Sequence, residues 1–187
     1  MFSNYEEMRW DSIVSWSKKL PSAFWTWLAA LRAYFMRQPA VAVKELQKII
    51  ARDPDFVIAY ALLWASHREA GELDRSFDAR LEDLRRAGMP AAAVQQLRST
   101  HDARGIEASR ILEAELLERH PNESYSPPIM IAMAHALNHQ NDAAFHWLGE
   151  AFKERSGWLA ELEADPVWDN IRTDPRFDQL CAKIRAR

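Results

Sequence analysis

The stretch DPDFVIAYALLWASHREAG, Asp53 to Gly71, decides the fold. Asp53-Pro54-Asp55 is a stop and a restart, because proline cannot continue a helix and aspartate suits the start of the next one. From about Phe56 to Ala70 no glycine or proline interrupts the chain, and Gly71 ends the run. A second helical stretch, about Leu73 to Ala87, follows at once and is closed by Gly88-Met89-Pro90. Two helices joined by so short a link lie antiparallel. Such a hairpin cannot bury its apolar side alone, so the question becomes whether it recurs.

The same punctuation extends in both directions. Upstream, Asn4 caps a first helix with Glu7 three residues on, Met8, Ile13, Trp16 and Leu20 supply its apolar positions, and Pro21 stops it. Ser22 caps a second helix to about Arg37, and Pro39 opens a third, with Val43, Leu46 and Ile50 on one face, ending near Arg52. Downstream, a helix runs to about Ala103, Gly105 breaks it, and another reaches Arg119. His120 to Pro128 reads as a loop, with Ser126 as cap and Pro127 at the first helical position. Helices over about Pro128–Asn138 and Asp142–Arg155, two short segments after Ser156-Gly157, and a last helix over about Pro175–Ala186 complete the chain. No stretch shows sustained strand alternation bounded by hairpin dipeptides. The fold class is all-α.

A 34-residue frame tests for repetition. With Pro54 near its end, the frame puts Ala42 where two crossing helices need a small side chain. One repeat on, Tyr60 takes the first large position, Leu63 the next apolar one, Gly71 the turn and Ser76 the crossing. Applied from Tyr125, it gives Ile131-Ala132 as an apolar–small pair, Ala144 at the crossing, and Leu148 and Ala151 as packing positions. Arg37 and His139 stand where the turn wants glycine, and residues 90–119 fit the frame poorly.

These segments resemble the tetratricopeptide (TPR) repeat. Residues Tyr125 to Leu180 are similar to the terminal repeat and closing segment found at the C-terminus of bacterial multidomain regulators: winged-helix/TolB-like regulators, adenylate cyclases and serine/threonine kinases. The matching elements are Ser126-Pro127, Ala144-Phe145, Trp147-Leu148, Glu154-Arg155-Ser156, Trp158-Leu159, and Asp165-Pro166 through Asp174-Pro175-Arg176-Phe177. The resemblance implies a right-handed helical-hairpin solenoid as one domain: an N-terminal capping helix (1–21), repeats at 22–55 and 56–89, a degenerate hairpin at 90–120, a repeat at 125–157, and closing helices at 158–187. It implies an interaction role and carries no catalytic residue, since nothing in the chain resembles a winged helix, a cyclase or a kinase.

Composition narrows the function classes. Only 5 Gly, where average usage would put roughly 13, argue against hairpin-rich sheets and Gly-loop nucleotide sites. The 8 Trp must be buried or displayed for a partner. A net charge of −3 gives no general reason for nucleic-acid binding. The apolar run Phe24–Met36 is too short to span a bilayer and carries Arg32, so no membrane role is expected. The single Cys181 excludes an internal disulfide, which with the lack of a signal-like N-terminus points to the cytosol.

Each candidate for chemistry has a structural reading beside it. His135 and His139, with His146 on the next helix, have a spacing that zinc sites use. But His135 takes a packing position of the frame and His139 the turn, so packing or capping is preferred and no metal or cofactor is expected. Cys181 has no nominated base and reads as a buried thiol. Asp165-Pro166 and Asp174-Pro175 read as helix caps, with Arg172 and Arg176 as ion-pair partners, closing the open end that any repeat array must cover. Trp147, Trp158 and Trp168 read as core.

The aromatic stripe is the functional candidate. Phe24, Trp27, Leu31, Tyr34 and Phe35 occupy frame positions that the TPR resemblance places on the concave groove, and Ile58, Ala61, Ala65, Arg68 and Glu69 follow one repeat later. Two readings stand: the first helix covers the stripe, or the stripe is an exposed anchor. The expectation is a non-catalytic protein-binding module or scaffold, with Phe24, Trp27, Leu31, Tyr34, Phe35 and Arg68 as the contact set. The alternative is the regulatory part of a bacterial transcriptional or signalling protein. A homo-oligomer is a further possibility.

Overall fold

The computed structural model describes residues 22–119 and 126–186, and the expected capping helix over 1–21 lies outside them. Among the described residues no strand occurs. The helices are α1 (Ser22–Phe35), α2 (Pro39–Arg52), α3 (Ile58–Glu69), α4 (Leu73–Arg86), α5 (Ala91–Glu118), α6 (Pro128–Leu137) and α7 (Asn141–Lys153). Two 3₁₀ segments, Gly157–Glu161 and Pro166–Ile171, and a final helix α8 (Pro175–Arg185) follow. Packing is sequential: α1 on α2, α2 on α3, α3 on α4, and α6 on α7. No described helix is long and apolar enough to cross a membrane.

The links between helices repeat a single solution. Arg37, Gly71 and His139 all have positive φ (57°, 74° and 57°), and they stand 34 residues apart or twice that. At each, the next residue donates its N–H back across the turn: Gln38 to Ala33, Glu72 to His67 and Gln140 to His135, at 2.9 to 3.0 Å. This is the double-bonded helix C-cap that needs a left-handed residue. Glycine holds that conformation without strain, whereas Arg37 and His139 hold it against the crowding of Cβ.

Gly105 falls on the same period, so the turn position recurs inside the region that fits the frame poorly elsewhere. Its backbone (φ 82°, ψ 179°) breaks α5 as the sequence predicts, but it is not left-handed helical like the others. Both halves of α5 meet α4, and the second also meets the end of α6. Arg98 and His101 of the first half lie over Phe77 of α4. In the second half, Asn138 donates to the Arg110 carbonyl at 3.0 Å.

The crossing positions carry small buried side chains as the frame requires. Ala42 and Ala144 are fully buried, and the Ser76 hydroxyl donates to the Trp64 carbonyl at 2.8 Å. One larger core joins α1–α3 to α6–α8 through Leu46, Ile49, Leu148, Leu162, Ile171 and Phe177. A second core joins α4, α5 and α6 through Phe77, Leu84, Leu97 and Leu117.

One boundary is corrected. Pro127 is the N-cap of α6 with extended geometry (φ −54°, ψ 131°), and the helix begins at Pro128 rather than Pro127. The reason is local: Pro128 crowds the residue before it and pushes that residue out of the helical region. Asp165 and Asp174 cap their segments as read from the sequence, accepting from the Val167 and Arg176 N–H groups.

Candidate functional site

An apolar cavity lies between the first and last parts of the chain. Its volume is about 180 Å³ and its walls are largely apolar. Helix α1 contributes Trp27, Leu31, Tyr34 and Phe35, which project at helical spacing onto one stripe. Helix α3 contributes Ile58, Ala61 and Ala65, the residues one repeat later in the frame. Helix α6 adds Ile129, Met130 and Met133, and the segment after α7 adds Trp158, Glu161, Asp165 and Trp168. An engineered cavity of about 150 Å³ holds one benzene ring, so this space suits one aromatic or branched aliphatic side chain.

Two polar ties hold the closing segment against α1. The Tyr34 hydroxyl donates to Asp165 Oδ1 at 2.7 Å. Arg37 grips both carboxylate oxygens of Asp169 at 2.6 and 2.8 Å and reaches Glu69 at 3.0 Å. Asn170 donates to the Ala136 carbonyl at 3.1 Å, which fixes the same segment to α6. The cavity is therefore bounded by joints more than 130 residues apart in sequence, not by one helical pair.

This changes the standing of Tyr34. Expected among the contact set, it is only 2% exposed, and burial together with the Asp165 carboxylate pushes its phenol far above the usual range. It is a joint between the two ends of the chain. Trp158 is corrected in the other direction: expected in the core, it is 53% exposed and forms part of the cavity rim. Gly157 and the short 3₁₀ segment place it beyond the reach of the apolar layer that buries Leu159 and Leu162.

Phe24 packs against Trp25 and Trp27, outside the cavity lining. Arg68 faces a different space, a small cavity of about 30 Å³ between α3, α4, α5 and α6. There its Nη2 donates to Glu69 at 2.8 Å, and its Nε is buried with no hydrogen-bond partner among the described residues. Of the expected contact set, then, the structure gathers Trp27, Leu31, Tyr34 and Phe35 around one cavity and leaves Phe24 and Arg68 off it.

The electrostatics of the walls are uneven. Arg80 is buried and held by two carboxylates, Asp83 at 2.6 Å and Glu113 at 2.7 Å, with its guanidinium over the Trp64 ring. Asp165 is raised above the usual carboxylate range by burial, against the opposing hydrogen bonds from Tyr34 and the Val167 N–H. Glu161 is raised as well, by burial and then by the neighbouring Asp165. Glu161 was not singled out from the sequence. In GWLAELEADP it has no spacing signal, and only the folded chain sets it beside Asp165 on an apolar wall.

His135, His67 and His146 each meet a neighbouring side chain. His135 places Nδ1 2.6 Å from Gln140 and Nε2 2.7 Å from Glu118, and Trp147 donates to the same Glu118 oxygen at 3.1 Å. His67 meets Glu72 in the corresponding way at 2.5 Å, one repeat period and its double apart from His101 and His135. His146 lies edge-on to Trp147. Cys181 is buried, and burial raises its thiol above the usual range. Arg172 and Arg176 pair with Asp169 and Asp174, and Arg176 also reaches Asp142.

No protein-family model matches the chain, and neither the curated proteins nor the solved structures give a match.

Proposed function

We propose that the chain is a non-catalytic, cytosolic binding module of the TPR type, which takes an apolar side chain of a partner protein into the cavity between α1, α3, α6 and the segment after α7. One observation carries the reading: the stripe that the frame assigns to a concave groove lines an apolar space of about 180 Å³. Apolar recesses rimmed by polar groups are what partner anchors occupy. The TPR assignment is supported by turn residues at Arg37, Gly71 and His139 and by small buried residues at Ala42, Ser76 and Ala144.

The test fills the recess without disturbing the Tyr34 and Arg37 joints. Random 12-residue peptides are displayed and selected on the wild-type chain, then on Ala61→Trp and Trp27→Ala. Clones recovered on wild type and lost on both variants, with melting temperatures retained, support the reading. Clones that bind both variants as well as wild type place the contact elsewhere and end it.

A further inference from the structure

The cavity has apolar walls, yet its charged groups are not balanced. Arg80, the cation in the lining, is already held by Asp83 and Glu113. Arg68, near Asp165, is bonded to Glu69. Arg172 is spent on the Asp169 carboxylate and on the Glu163 and Asp165 carbonyls. Asp165 takes both its hydrogen bonds, from Tyr34 and from the Val167 N–H, on the single oxygen Oδ1. Glu161 is half-buried, and its carboxylate has neither a hydrogen bond nor a cation among the described residues; its one charged neighbour is Asp165, of like sign. A carboxylate beside aromatic and aliphatic walls is poorly solvated and gains most from a cation brought to it.

Resting on the docking reading above, we infer that the partner segment presents an apolar anchor flanked by a lysine or arginine, the anchor filling the space between Leu31, Ala61 and Met130 and the cation meeting Glu161 and Asp165. The choice follows from complementarity. The walls suit carbon, the volume suits one side chain, and the two carboxylates on the wall are both negative. A segment carrying Asp or Glu beside its anchor would bring a third negative charge to Glu161 and Asp165 and be rejected. The aromatic rim, Trp27 and Trp158, adds ring faces on which an Arg or Lys head can lie.

The peptide selection, read by composition and by affinity, tests this. Clones that depend on an open cavity are expected to carry Lys or Arg within two positions of an aromatic or branched aliphatic residue. Replacing that Lys by norleucine should weaken binding about tenfold on the wild-type chain and less than about twofold on Glu161→Gln, which keeps the shape and removes the charge. Cavity-dependent clones with no basic enrichment, or an equal loss on both proteins, overturn the charge inference and leave the docking reading intact. Clones indifferent to Ala61→Trp overturn the docking reading itself. An empty selection overturns both, as does a concentration-dependent dimer that Ala61→Trp abolishes, which would assign the cavity to a second copy of the chain.

Discussion

The α3–α4 hairpin and the bent helix α5 are the same 34-residue frame filled two ways. Gly71 and Gly105 hold the same place in it, as do His67 and His101, Glu72 and Ile106, Ser76 and Arg110. In the first, Gly71 is left-handed helical and the turn closes with its double hydrogen bond. His67 is satisfied by Glu72 across that turn, and the small Ser76 lets the helices cross while donating to the Trp64 carbonyl. In the second, Ile106 offers the histidine no acceptor, and Arg110 is too large for a close crossing. Burial and the neighbouring Arg68 push the Arg110 guanidinium below its ordinary value. The glycine alone does not make the hairpin. What differs around the two glycines is the acceptor that follows and the size of the residue at the crossing position.

Because α5 lacks the small crossing residue, a charged network secures its second half to α4. The largest expected effect is therefore at Arg80. Arg80→Ala leaves Asp83 and Glu113 buried without their cation and should cost about 3–5 kcal/mol in urea unfolding. A loss under about 1 kcal/mol would show that apolar packing, not this network, makes the joint. Next comes the exchange of crossing residues. Ser76→Arg forces a long charged side chain into a site 6% exposed and should cost about 3 kcal/mol, whereas Arg110→Ser should stay within about 1 kcal/mol. Equal effects from the two substitutions would mean that the crossings do not differ.

The two glycines separate by backbone geometry alone. An added Cβ meets no atom within 4 Å at either position, so crowding does not enter. Gly71 has a conformation that other residues adopt at modest cost, and Gly71→Ala should lose about 1 kcal/mol. Gly105, with φ 82° and ψ 179°, lies where almost only glycine is found, and Gly105→Ala should lose about 2–3 kcal/mol. Thermal unfolding of the pair gives the comparison directly. The reverse order would mean that α5 straightens through the substitution.

Much of this architecture is legible in the sequence because its determinants are local. Pro39, Pro54, Gly71, Gly88 and the Asp-Pro pairs each act within one turn of helix, and the helix limits follow them to within about two residues. A third of the cavity wall is legible too, since the TPR resemblance puts Trp27, Leu31, Phe35, Ile58, Ala61 and Ala65 on one groove. What is not legible depends on contacts between distant segments. Nothing near Tyr34 announces Asp165, 131 residues on, and the same joint sets the position of Glu161. Trp158 misleads for a related reason: its place in the segment that resembles a terminal TPR repeat predicts burial, but the 3₁₀ segment leaves its ring at the rim.

The smallest effect distinguishes the two turns that lack glycine. Arg37 and His139 hold the same left-handed geometry, at φ 57° in both. His139→Gly removes a crowded Cβ at an exposed position, and part of that gain is lost to the greater freedom of glycine in the unfolded chain. A net stabilisation of about 0.5–1 kcal/mol is expected. Arg37→Gly makes the same backbone gain but gives up the forked bond to Asp169 and the contact with Glu69. Both partners of that fork are partly exposed, so it contributes up to about 1 kcal/mol, and the substitution should come out near zero. The difference between the two variants measures what the joint between α1 and the closing segment contributes. It should shrink as salt is raised, since the exposed fork is screened while the backbone gain is not. A difference independent of salt would mean that Arg37 acts at its own turn and does not hold the far end of the chain.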